Sequence, residues 1–297
     1  MGLINLIESL NFNSVKKILV PTDFTKESEN AVETARMLAK KFDAEILFLN
    51  AIELNIGEAV NTSGAHANYA SFADGIIIQE TIKRAEDEML RLIDVSKFRG
   101  IKTSYEIKIG NPFGHIFSTI DEHNIDFVVM GTKGASGLSE IIIGSNTEKV
   151  VRKSKCPVLS VKEALGDNSF ENIVYATNMG EHEEKVIKAI NDLQSIFKSK
   201  VHLVWINTPN NFKSDETNRP LLDAFALKHG LKNFTINVYN DFIAEDGIRH
   251  FADYLDAGLI VMGTNSYTGL SRLIRGSVAE DMINHAVRPV LTVSMKD

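Results

Sequence analysis

Residues 127–161 return, in register and without a gap, as residues 259–293. Phe127-Val128-Val129-Met130-Gly131 answers Leu259-Ile260-Val261-Met262-Gly263. Leu138-Ser139 answers Leu270-Ser271, and Pro157-Val158-Leu159 answers Pro289-Val290-Leu291. A match this long at constant offset marks a duplication, and its period is far too long for a solenoid. The chain must therefore build one unit twice. Its 297 residues suffice for two domains of ordinary size.

Each half alternates short apolar runs with helical patterns. Lys17 to Val20 is a continuous apolar strand that ends at Pro21-Thr22-Asp23. Thr25 or Ser28 can cap the next segment, in which Ala31, Ala35, Leu38 and Ala39 recur at helical spacing. Ala44–Ile52 reads as a second buried strand, 55–75 as a loop and Ile76–Phe98 as a helix. Strands follow at 103–109 and 125–130, with a helix at 116–122 between them. A helix from Asn146 leads to a last strand at 156–161. Asn172–Asn178 and Val201–Ile206 answer the first two strands. This order predicts, in each half, an open parallel sheet with helices on both faces. Gly166-Asp167-Asn168-Ser169 reads as a polar hinge between domains at 15–163 and 170–297, and residues 1–14 as a short amphipathic arm.

Hydrophobic content of 44% lets each half bury its own core. The net charge of -7 disfavours nucleic acid and anionic membrane surfaces as partners. The single cysteine, Cys156, excludes an internal disulfide and suits the cytoplasm. It sits at the entry to an apolar strand and reads as a small core residue. No stretch has the length of a membrane-spanning helix, and the first residues lack the pattern of a signal peptide.

The chemistry is concentrated where the fourth strand ends. Met130-Gly131 closes an apolar run, a short polar loop containing Gly134 follows, and Gly144-Ser145 opens a helix. In an open parallel sheet, ligands sit beyond the carboxyl ends of the strands where strand order reverses. A helix N-terminus there offers free N–H groups and the positive end of a dipole, which suit a phosphate. Glycines let backbone approach closely. There is no P-loop, no G-x-G-x-x-G after a strand and no G-x-S-x-G elbow.

Gly131-x2-Gly134-x9-Gly144-Ser145, with Pro21-Thr22-Asp23 after the first strand and Cys156-Pro157-Val158-Leu159 in the last, resembles the ATP-binding branch of the universal stress protein family. The resemblance covers both halves, so the chain resembles a tandem member. It implies an adenine nucleotide alpha hydrolase-like fold, a five-stranded parallel sheet per domain, and ATP or another adenine nucleotide in the crevice. By position, Pro21, Thr22 and Asp23 would serve the adenine or ribose side, and Ala51 would line the adenine pocket. Met130 and Gly131 would lie under the ribose, while Gly134, Gly144, Ser145 and Asn146 would hold the phosphates. Mg²⁺ or Mn²⁺ would come with the nucleotide. Family members usually dimerise through the last strand. The tandem chain could pair its own halves that way, Val158–Val161 against Val290–Val293, and a homodimer stays open.

The second half departs from the pattern. Asn178 stands at the place of Asp23, Ser266 at that of Gly134, and Trp205-Ile206 at that of Asn50-Ala51, adding bulk to an adenine pocket. Gly263, Gly276, Ser277 and the following Val278 keep the shape of the phosphate end. The second site is thus expected to be weak, altered or empty. The eight histidines have no zinc-site spacing; His202 reads as a satisfied core residue and His66 as a loop residue. Asp121-Glu122 and Glu181–Glu184 read as solvated helix ends. The leading expectation is a nucleotide-dependent regulatory module of the stress response. Its alternatives are a slow ATPase at the first site and a nucleotide-independent scaffold.

Overall fold

A computed structural model describes residues 15–53, 67–94, 96–132, 145–180, 182–264, 278, 282 and 287–295. The arm at 1–14, His66, Gly134, Gly144, Ser266, Gly276 and Ser277 lie outside these residues. Ser145 and Asn146 are described in their backbone alone.

The first half runs β1 (Lys17–Pro21), α1 (Lys26–Phe42), β2 (Glu45–Ile52), α2 (Ala67–Leu92), β3 (Thr103–Ile109), α3 (Pro112–His123), β4 (Phe127–Gly131), α4 (Ser145–Lys153) and β5 (Val158–Val161). The second runs β6 (Asn172–Ala176), α5 (Glu184–Phe197), β7 (Lys200–Asn207), α6 (Asp215–Lys228), β8 (Phe234–Asn240), α7 (Ala244–Tyr254), β9 (Leu259–Thr264) and β10 (Val290–Ser294).

All strands join one ten-stranded sheet in the order β3-β2-β1-β4-β5-β10-β9-β6-β7-β8. Every described pairing is parallel except the central one, where β5 and β10 run antiparallel with Leu159 opposite Leu291. The expected pairing of the last strands is thus present. It hides two strand edges that would otherwise be open to foreign pairing. Central strands are apolar on both faces: Ile18, Leu19 and Val20 of β1 are all fully buried. One core layer contains Ala35 and Leu38 of α1, with Ile190 of α5 and Phe225 of α6. The other contains Ile116 of α3, Val150 of α4 and Ile248 of α7.

Local signals explain the helices. Thr25 caps α1 through its side chain, Glu27 and Glu29 occupy the first turn, and Lys40 and Lys41 the last. Asn111 caps α3, with Pro112 in the first turn, so that helix opens before the expected Ile116.

Three further expectations are corrected. Residues 67–75, read as loop, are helical, and α2 stops at Leu92 while Phe98 lies in a later turn. The alanine-rich start of α2 permits a helix without an apolar stripe to announce it. Cys156 precedes β5 and does not belong to it. The polar link at 166–169 is no hinge. Asp167–Phe170 forms a 3-10 turn, Lys41 pairs with Asp167 at 2.6 Å, and buried Phe170 stacks on Phe197 at 4.3 Å. Leu165 N–H also donates to Thr34 Oγ1 at 3.0 Å, which ties the link to α1. His202 behaves as expected: it is buried, with its ring nitrogens on Thr235 Oγ1 and Asn172 Oδ1.

Candidate functional site

Strand order reverses between β1 and β4, the place at whose carboxyl ends open parallel sheets hold their ligands. Thr22, the residue after β1, is 6% exposed. Its N–H donates to Leu49 O at 2.9 Å, and its hydroxyl donates to Ser28 Oγ at 3.1 Å while accepting from Phe24 N–H at 3.1 Å. Phe24 takes a left-handed φ of 61°. The chain therefore turns sharply here and leaves Asp23 exposed at the corner. Asp23 Oδ1 accepts from Thr25 N–H at 3.1 Å and from Thr25 Oγ1 at 2.5 Å. A carboxylate has further acceptor sites, so Asp23 can take a hydroxyl or amine as well.

From β2, buried Asn50 donates its Nδ2 to Thr22 O at 2.8 Å, which pins the residue ahead of Asp23. Its Oδ1 is buried with no partner among the described residues. Asn50 was not among the expected site residues; a polar residue inside an otherwise apolar strand was the signal for it. Ala51 is half-buried beside it. Pro21 is half-buried at the end of β1, and the Met130 side chain sits in the core layer shared with α3 and α4. Thr132 is buried and donates its N–H to Val161 O at 2.9 Å. The chain returns as α4 at Ser145, whose first helical turn supplies the expected N-terminus.

Gly131 has a packing reason of its own. A Cβ there would stand 2.8 Å from Ser28 N and closer still to Glu27 O. The start of α1 lies directly against the backbone of β4, and a side chain would part them. Pro21, Thr22, Asp23, Ala51, Met130 and Gly131 thus lie at or next to the carboxyl ends of three neighbouring strands, β1, β2 and β4. Gly134 and Gly144 fall outside the described residues.

The matching corner of the second half is built differently. Lys17 answers Asn172, so Lys26 answers position 181; α5 opens three residues later, at Glu184, without a side-chain cap. The space is taken by Glu183, expected to be a solvated helix end but only 4% exposed. Its carboxylate accepts from the hydroxyls of Tyr175 and Thr177 and, at 2.8 Å, from Gly180 N–H. Burial, with the Glu183 charge next, holds the Tyr175 phenol well above its ordinary pKa. Ser28 occupies the corresponding place in the first half and bonds the corresponding threonine, Thr22.

Trp205 and Ile206 do not act together as expected, because neighbouring strand residues face opposite sides. Trp205 joins the core layer of α5 and α6, donates Nε1–H to Asn207 Oδ1 at 3.0 Å and carries Lys213 Nζ 4.6 Å from its ring centre. Ile206 faces α7, its Cγ2 2.5 Å from where a Gly247 Cβ would stand, so this isoleucine fills its space only because position 247 is glycine. A Cβ on Gly263 would meet Met295 Sδ at 2.6 Å rather than helix backbone. Val278 is helical and exposed.

Among the described residues no helix is long and apolar enough to cross a membrane. Cys156 is buried, and desolvation pushes its thiol up to about 11.

Comparison with known proteins agrees with this duplication. The model of the universal stress protein family matches residues 14–162 and again 169–294. Universal stress protein MJ0531 of Methanocaldococcus jannaschii is 31% identical over 152 residues, spanning 51% of this chain and 84% of that protein. Universal stress protein MJ0577 of the same organism is 29% identical over 157 residues, spanning 50% of this chain and 94% of that protein. The crystal structure of a universal stress protein from Archaeoglobus fulgidus superposes with a TM-score of 0.75 over 95% of this chain and 100% of that one. At 20% identity that likeness speaks for the fold alone.

Proposed function

The chain belongs to the universal stress protein family, and we propose that its N-terminal domain, residues 15–163, binds an adenine nucleotide, ATP foremost. The C-terminal domain, residues 170–297, is in this reading the paired partner of a single working site. The output is regulatory: nucleotide occupancy sets the conformation that partners meet.

The observation that carries the reading is the corner at Asp23. An exposed carboxylate stands at the strand-order reversal, and the start of α1 that follows it packs on a residue that must be glycine. Asp23 accepts from ribose hydroxyls or an adenine amine, and Ala51 leaves room for the base. The N–H groups of Gly144, Ser145 and Asn146 at the start of α4 take the phosphates. Mg²⁺ or Mn²⁺ would come with the nucleotide and supply the remaining charge neutralisation. In the second corner Asn178 replaces the carboxylate, Ile206 occupies the base side, and Met295 lies over Gly263.

Thermal unfolding with and without Mg-ATP tests this. A ligand at about 100 times its Kd stabilises the folded chain by about 2.7 kcal/mol, so a clear rise in Tm is expected with ATP and none for Asp23→Ala. A wild-type Tm indifferent to ATP, ADP and AMP sinks the proposal in favour of a nucleotide-independent scaffold.

A further inference from the structure

The pairing of β5 with β10 closes two strand edges and leaves two others, β3 and β8, at the ends of the sheet. They differ in what is left to bond. Ile46 N–H donates to Lys102 O, and Gly110 N–H donates to Ile52 O. In a parallel ladder alternate residues bond the same neighbour, so the even-numbered residues of β3 are spent on β2. Tyr105, Ile107 and Ile109 turn their N–H and C=O groups outward. Ile109 O takes the His115 ring nitrogen at 2.9 Å, and no described residue bonds the outward groups of Tyr105 or Ile107. On β8 the carbonyl that answers Tyr105 O, Ile236 O, accepts from Arg219 Nη1 of α6 at 3.4 Å.

We propose that β3 is an interface to a second copy of this chain, two β3 strands pairing antiparallel about a two-fold axis at Ile107. Such a contact needs a self-complementary edge, and β3 has one. With the axis at Ile107, outward-facing residues meet each other and exchange their N–H and C=O groups: Ile107 with Ile107, Tyr105 with Ile109. Ile109 O retains a second lone pair beside His115. The side chains agree. Tyr105 and Ile109, 38% and 43% exposed, come together on the face shared with Phe48. On the other face Glu106 comes opposite Lys108 of the second copy. Within one chain these two are 3.1 Å apart, and α3 flanks them, with His123 at 2.7 Å from Glu106 and Glu122 at 3.1 Å from Lys108. In the dimer Glu106 and Lys108 each have the opposite sign both beside them and across from them. Moving the axis to Glu106 sets two carboxylates face to face, and moving it to Lys108 sets two ammonium groups face to face.

Sedimentation equilibrium of the full chain over about two decades of concentration tests the pairing, on wild type, Ile107→Pro, Glu106→Lys and the double variant Glu106→Lys with Lys108→Glu. The Ile107 N–H is not used within the chain, so a proline fits there at the sheet edge and removes the central donor of the contact. Wild type is expected to dimerise reversibly and Ile107→Pro to stay monomeric. In Glu106→Lys two symmetry-related pairs turn repulsive, so the dimer Kd should rise about 10-fold or more. The double variant restores opposite signs across the axis and should recover most of that loss. A wild type that is monomeric throughout, or a dimer that Ile107→Pro or Glu106→Lys leaves as tight, overturns the proposal. So does a double variant as weak as Glu106→Lys, a comparison that stands even where Ile107→Pro fails to fold.

Discussion

The two strand-end corners began as copies and have been finished in opposite ways. At the end of β1 the chain leaves its carboxylate, Asp23, outside, and starts α1 early enough to press its backbone on Gly131. At the end of β6 the carboxylate, Glu183, is inside, three residues of helix are given up, and a methionine side chain fills the place of helix backbone. The left-handed residue that turns the corner is retained in both, at Phe24 and Met179. The scaffold of the corner is thus separable from its chemistry. An acidic side chain can serve a ligand when exposed there, or replace a ligand as an internal cross-link when buried.

If the buried Glu183 is the cross-link of its corner, removing it should have the largest effect. Glu183→Ala strands two hydroxyls and an N–H group in a dry site, and a loss of about 3 kcal/mol is expected in urea unfolding. Ser28→Ala, at the same place in the first half, should cost about 1 kcal/mol. Equal losses would erase the distinction between the corners. The glycines come next. Gly131→Ala must push α1 off β4 and should cost about 2 kcal/mol. Gly263→Ala meets only a flexible methionine and should cost under about 1 kcal/mol.

The fold was largely legible because its signals are repeated. Buried parallel strands appear as apolar runs, and the register of 127–161 on 259–293 forced the tandem reading. The pairing of β5 with β10 was an expectation of the family resemblance, and the structure shows it. What was not legible depended on partners distant in sequence. Glu183 reads as one of several acidic residues near a helix start, and only the packed corner reveals Tyr175 and Thr177 around it. Trp205 and Ile206 read as a bulky pair until strand pleating sends them to opposite layers. The Gly166–Ser169 segment reads as a hinge by composition, yet Lys41 and Phe197 hold it down. The strand-end Asp23 was visible, whereas Asn50 behind it needed the structure to show which carbonyl it pins.

Two smaller effects sharpen the contrast further. Cys156 is buried at the base of β5, while the matching residue, Arg288, pairs with Asp253 at 2.8 Å and Asp256 at 3.1 Å. The native thiol has its pKa raised from 9.0 to about 11, so the folded state holds that proton longer than the unfolded chain. Its contribution to stability is therefore complete below pH 9 and falls between pH 9 and about 11, by up to about 1.4 kcal/mol per pH unit. Cys156→Ala should flatten that part of the curve, and a thiol reagent at pH 8 should label the wild type only in denaturant. The smallest effect concerns the link. The Lys41–Asp167 pair is partly exposed, so Lys41→Ala should cost only about 0.5–1 kcal/mol, including its position 5.7 Å from the Phe197 ring centre.

The central claim is one working site in a molecule built from two. Titration calorimetry of nucleotide-free protein with Mg-ATP tests it directly, by stoichiometry. One ATP per chain is predicted, abolished by Asp23→Ala and untouched by Asn178→Ala. Two equivalents per chain, or binding that survives Asp23→Ala and is lost in Asn178→Ala, would contradict it.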